Sequence, residues 1–137
     1  SPVNLTSAAS ASGGITFTGL DWGDLSADDQ NGEGCGVSTF DTDGHELVYA
    51  VDLQSGEKVT ADVTNNDPGF TYEAVFVTDS CQLSSSSCLD GESAFDDPVS
   101  ASYTHSGSGT KTVYVIVESD STFGVDGDTF DVNINVQ

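Results

Sequence analysis

The chain has 137 residues, enough for one hydrophobic core and too few for two. With 36% hydrophobic residues, 9% aromatic, 15 Gly and 3 Pro it is a foldable mixture, not a disordered acidic tail. Against 23 Asp and Glu stand only Lys58 and Lys111, a formal net charge of −21 that excludes binding of phosphate backbones through a basic face.

No apolar run approaches the ~20 residues of a bilayer-spanning helix, and no basic amphipathic stretch suits an anionic leaflet, so no membrane insertion is expected. Residues 1–14 (Ser1 to Gly14) are small and polar and read as an N-terminal arm or a first-strand lead-in, ahead of one β-domain over 15–137. Within them Asn4-Leu5-Thr6 fits the glycosylation acceptor pattern, which points to surface exposure. The start at Ser1, without charged or apolar leader, reads as a mature product or an excised domain. Ile15-Thr-Phe-Thr18 is a short early strand, and Trp22 to Asp29 holds at most one helical turn, because Gly and Asp are poor interior helix residues.

Leu47, Tyr49, Val51 and Leu53 then form the inner row of a strand, with Val48 and Ala50 making its outer face partly apolar. Val59, Ala61 and Val63 alternate with Lys58, Thr60, Asp62 and Thr64, and Gln54-Ser-Gly-Glu57 between the two strands has the length of a hairpin turn. Tyr72 to Thr78 and Thr112 to Glu118 are apolar on both faces and read as central strands. Val99 to Tyr103 is a weaker strand, and Phe130, Val132, Ile134 and Val136 alternate with polar residues in the last one. Asn65 to Gly69, Ser106 to Gly109 and Gly124 to Gly127 punctuate them as turns. Seven to eight short strands, no convincing helix, no repeat and no linker predict an all-β antiparallel sandwich, in which two half-buried sheets cover each other's apolar faces.

The three cysteines are Cys35, Cys81 and Cys88. The polar run from Cys81 to Cys88 can turn back on itself, which predicts a Cys81–Cys88 disulfide stabilising a loop by ~2 kcal/mol. Cys35 is then left as a buried free thiol or a partner for another chain. A disulfide implies an oxidising compartment, hence a secreted or cell-surface protein.

Gly44-His-Glu-Leu-Val-Tyr-Ala-Val-Asp-Leu-Gln-Ser-Gly-Glu-Lys-Val-Thr60 is followed by Ala74-Val-Phe-Val-Thr-Asp-Ser-Cys81, by Cys88 and by Asp96-Asp97. Thr112 to Glu118 and Thr129 to Val136 close the series, and Gly32 to Phe40 supplies a Cys-Gly segment. In order and spacing these motifs resemble the bacterial pre-peptidase C-terminal domains, from Gly44 to the end of the chain. The resemblance implies a jelly-roll β-sandwich of a secreted or surface protein, not itself catalytic. It further implies calcium binding, seen in some relatives, or binding of collagen-like polymers, seen in a subset.

Asp41-Thr-Asp43-Gly44 and Asp126-Gly-Asp128 set two carboxylates beside a Gly turn, where both oxygens can converge on Ca²⁺, with Asp79, Asp96 and Asp97 as further ligands. None of these fits an EF-hand loop, and Asp and Gly also populate turns for backbone reasons alone. Trp22 is either a stacking platform for a ligand or a cap on the sandwich. His45 and His105 belong to no nucleophile elbow, zincin or zinc-finger pattern, and Gly32 to Gly36 lacks the Lys of a phosphate loop. The expected function is therefore a non-catalytic extracellular binding or adhesion accessory domain, whose partner is an extracellular polymer, a protein, or copies of itself. The alternatives are a self-assembling subunit of a filament or surface layer, built through strand edges or the N-terminal segment, and a small carboxylate-dependent hydrolase.

Overall fold

The computed structural model describes residues 2–27, 35, 45–66, 72–82, 84–95, 98–119 and 128–137. Among these the strands, in chain order, are β1 (Val3–Asn4), β2 (Ile15–Asp21), β3 (Ser26–Ala27), β4 (His45–Leu53) and β5 (Lys58–Asn65), then β6 (Tyr72–Thr78), β7 (Cys88–Phe95), β8 (Val99–Thr104), β9 (Lys111–Ser119) and β10 (Thr129–Val136). One helical turn, α1 (Thr6–Ala9), and a 3-10 turn at Trp22–Asp24 complete them.

The strands divide into two sheets. One has the order β1-β4-β9-β6-β7, with β3 also on β4, and the other the order β2-β10-β5-β8. Their facing rows are the period-two rows of the sequence. Tyr49, Val51, Leu53, Val75, Val77, Val113, Val115 and Val117 of the larger sheet meet Val59, Ala61, Val63, Val99, Ala101, Phe130, Val132 and Ile134 of the smaller, all buried. Each Val, Leu, Ile or Phe among them is worth ~1.5–3 kcal/mol when taken out of water, so a one-residue slip of any strand would forfeit its whole row. β6 and β9 are internal strands, as their two apolar faces predict; Ala74, Phe76 and Ile116 are buried on the outer side of the sheet.

The topology corrects one expectation. β4 and β5 do not form a hairpin, because they lie in different sheets. The chain is instead a long antiparallel ribbon in which β2 pairs with β10, β4 with β9, β5 with β8 and β6 with β7, wound so that successive pairs alternate between layers. That is a jelly roll. Gln54 to Glu57 is one of the two arches by which the β4–β9 pair passes into the β5–β8 pair, and it is tied to the other, between β8 and β9. Gly56 N–H donates to the His105 carbonyl at 2.7 Å, His105 N–H to the Glu57 carbonyl at 2.9 Å, and Gln54 Nε2 to Thr110 Oγ1 at 3.1 Å. The apolar rows on either side of the turn, Val51 and Leu53 against Val59 and Ala61, suit face-to-face packing as well as edge pairing, and here they face each other.

The N-terminal segment packs onto the domain. Val3 and Asn4 pair in parallel with Tyr49 and Ala50, Leu5 N–H donates to the Ala50 carbonyl at 2.9 Å, and Asp52 N–H donates to Thr6 Oγ1 at 2.8 Å. Leu5 and Ala9 are buried in the core, so β1 and α1 close the flank beside β4 and β10. Two glycines serve special geometry. Gly19, at φ +64°, sits opposite Asp131 where the β2–β10 register shifts, and a Cβ on Gly14, at φ +72°, would strike the Ile134 carbonyl and Asn135.

Candidate functional site

The cysteine pairing differs from the expected one. Cys88 opens β7 opposite Thr78, on the outer face of the larger sheet, where Cys35 is buried among Ala74, Phe76 and Ile116. Cys35 and Cys88 form the disulfide, with a Cα–Cα distance of 5.4 Å across 53 residues, and Cys81 is an exposed free thiol. The predicted Cys81–Cys88 bridge fails because the intervening loop has its own closure, which leaves Cys81 facing solvent. Asp79 N–H donates to the Ser87 carbonyl at 2.9 Å, and Ser87 Oγ donates to the Gln82 carbonyl at 2.9 Å. Gly91 makes room for the true bridge, since a Cβ there would lie 2.6 Å from Phe76 Cδ1 and 2.8 Å from the Cys35 carbonyl oxygen.

Of the predicted calcium ligands, Asp41, Asp43, Asp96, Asp97 and Asp126 lie outside the described residues. Asp79 and Asp128 stand at opposite ends of the sandwich. Asp79 follows the end of β6, next to Lys111 at the start of β9, whereas Asp128 precedes β10, its carbonyl accepting from Trp22 N–H at 3.1 Å. They do not belong to one coordination sphere, and no group of three or more metal-ligating side chains occurs among the described residues.

Trp22 is not a ligand platform. It is fully buried, its ring stacked on Phe130 with centroids 3.7 Å apart and planes 17° apart, so it caps the core from inside. Its 3-10 turn is fixed by Asp21, whose Oδ1 accepts from Gly23 N–H at 2.8 Å. Tyr49 is likewise spent on the interior, stacked on Phe17 at 5.3 Å, and burial raises the pKa of its phenol above the ordinary value. His105 is buried in the arch, with Nε2 3.2 Å from the Gly109 carbonyl.

The charges the chain carries are almost purely acidic, 23 Asp and Glu against two lysines. Of the two lysines, Lys111 is engaged with Asp79 at 4.0 Å and lies 5.3 Å from the Tyr103 ring centroid, leaving Lys58 as the exposed cation. Several carboxylates serve the backbone. Asp131 Oδ1 accepts from Asn66 Nδ2 and from Gly19 N–H, both at 2.8 Å, and the Asn66 bond above all, then that of Gly19, holds its carboxyl below the usual range. Asp90 and Glu92 of β7 accept from backbone amides of β8, at 2.7 Å each.

Sequence reasoning did not single out Glu73 and Glu118, both fully buried at the end of the larger sheet where β6 begins and β9 ends. Glu118 stands opposite Glu46 in the β4–β9 register, and like charges so placed oppose each other. The available signal was a carboxylate inside an otherwise apolar run, Tyr72-Glu-Ala-Val-Phe76 and Val115-Ile-Val-Glu118. Buried carboxylates are retained only where polar or charged partners serve them, so polar chemistry reaches into the interior at this end of the domain.

The fold and its surface thus define an acidic, disulfide-bridged jelly-roll sandwich. No helix among the described residues is long and apolar enough to cross a membrane. No family model matches the chain, and no curated protein or solved structure matches it significantly.

Proposed function

We propose that the chain is a non-catalytic extracellular binding or adhesion domain, an accessory module of a secreted or surface protein. The observation that supports it best is the charge balance of the chain, 23 acidic residues against two lysines, one of them already engaged with Asp79 and Tyr103, with Glu73 and Glu118 the buried acids among the described residues. Such a surface keeps copies of the chain apart and selects partners that bring positive charge, or that reach it through a shared divalent cation. Calcium is the ion suited to the Asp-rich turns named above, whose ligands are oxygen atoms. The Cys35–Cys88 disulfide accords with export, because such bonds persist in oxidising compartments. The motif order from Gly44 onward favours kinship with pre-peptidase C-terminal domains, and the jelly-roll layering is the fold that kinship implies.

The test is calorimetric titration with Ca²⁺, run beside binding of the intact domain to immobilised collagen-type and chitosan films with and without the ion. Saturable binding to at least one film, weakened by salt or strengthened by Ca²⁺, is the expected result. Absence of binding to both films in either condition refutes the reading.

A further inference from the structure

β8 is an edge strand of the smaller sheet, and its six residues, Val99-Ser-Ala-Ser-Tyr-Thr104, contain neither charge nor Pro. It pairs with β5 without a register shift. A regular, uncharged edge with open amides is a template on which a strand of another chain can add. Here two of the three outward amides, those of Ser100 and Ser102, are not open. Ser100 N–H donates to Glu92 Oε2 and Ser102 N–H to Asp90 Oδ2, each at 2.7 Å, the short length of a charge-assisted bond.

Both carboxylates come from β7, the edge of the other sheet. Glu92 stands opposite Val75 and Asp90 opposite Val77, in the row that elsewhere fills the core. Their side chains are nonetheless exposed, because at the corner of the sandwich that row looks past the core onto the rim of β8. Charge at these positions adds nothing to apolar burial, yet it meets two successive outward amides of the neighbouring strand with matching spacing.

We propose that Asp90 and Glu92 form an edge guard, occupying the outward amides of Ser100 and Ser102 at the centre of β8 so that a second copy of this chain cannot add there as an antiparallel β8–β8 pair. A copy is the occupant the edge suits, since two antiparallel β8 strands meet through the same residues on each side, as a two-fold contact requires. The small neutral side chains of Ser100, Ala101 and Ser102 set no charge barrier of their own.

The experiment compares the wild-type chain with Asp90→Ala/Glu92→Ala by sedimentation velocity over a wide concentration range, at ~0.15 M salt where repulsion reaches about 8 Å. The double variant is expected to dimerise where the wild type stays monomeric, and adding Ser102→Pro, which removes an outward N–H, to restore the monomer. Asp24→Asn/Asp52→Asn removes the same amount of charge from the 3-10 turn and from β4 of the other sheet and is expected to remain monomeric. A double variant that is monomeric throughout, a dimer that survives Ser102→Pro, or equal dimerisation of the charge control overturns the proposal. Asp90→Ala alone provides a test independent of assembly and less exposed to misfolding. Hydrogen exchange at the Ser102 amide should quicken roughly tenfold while that of Ser100 holds, and an unchanged Ser102 overturns the guard.

Discussion

Replacing both bridged cysteines, as Cys35→Ala/Cys88→Ala, separates the observed pairing from the one the spacing suggested. The Cys35–Cys88 bond closes a loop of 53 residues, and the entropy withheld from the unfolded chain by such a loop amounts to about 4 kcal/mol. A Cys81–Cys88 bond closing its short loop would contribute only ~2 kcal/mol. Cys35 is also buried against Phe76, so its truncation adds to the loss. In urea, with a slope of ~2 kcal/mol per molar, the unfolding midpoint should fall by about 2 M or more. Cys81→Ser, at an exposed position, should stay within about 0.5 kcal/mol of the wild type. Peptide mapping without reduction should yield Cys35 linked to Cys88 and Cys81 alkylated. A Cys81–Cys88 peptide, or a loss below about 1 kcal/mol in the double variant, would refute the reasoning.

Trp22→Ala should destabilise by about 3–5 kcal/mol, since it removes a fully buried ring from its stack on Phe130, and the emission of this single Trp in the native chain should be blue-shifted. Gly14→Ala should lower the melting temperature more than Gly13→Ala: both positions carry positive φ, but only at Gly14 does the added methyl meet backbone, that of Ile134 and Asn135. Asp131 gives a pH signature. Its native pKa is depressed, so the stability it confers over Asp131→Ala is full well above the ordinary value of 3.8 and disappears as acid takes the pH down through the native value. The carboxylate is largely exposed, so that difference should stay under about 1 kcal/mol, and equal acid profiles for the two proteins would contradict the assignment.

The strands that carry the core were legible because each has one row to bury. The alternation at Phe130 to Val136 and the two-sided apolar runs at Tyr72 to Thr78 and Thr112 to Glu118 fix which strands are half-wet and which are internal. Pairing was not legible. Alternation says which face of β4 and β5 is apolar, and that face is the same whether the two strands lie side by side or across the core. β7 escaped notice for a related reason: at the corner its inward positions hold Asp90 and Glu92, so Cys88 to Phe95 shows no apolar rhythm. The disulfide was misread because closeness in sequence is a weak guide once Cys88 lies within a strand, with its direction set by that strand's pairing and not by the loop before it. Of the site residues, Trp22 was open between ligand platform and structural cap in the sequence, and only its burial decides for the cap. The burial of Glu73 and Glu118 follows from their place in the sheet and was not legible.

The winding of the ribbon governs when the domain can come into being during synthesis. β10 lies in the middle of its sheet, between β2 and β5, with Ile134 set against Ile15 and Ala61. Until residues 129–136 have left the ribosome, β2 has no neighbour and β5 lacks one of its two, so half of the sandwich waits on the last strand to emerge. Contacts between such distant parts of a chain form slowly, on the scale of milliseconds to seconds. A truncation that spares every loop but removes this strand should therefore yield an aggregating chain instead of a smaller domain.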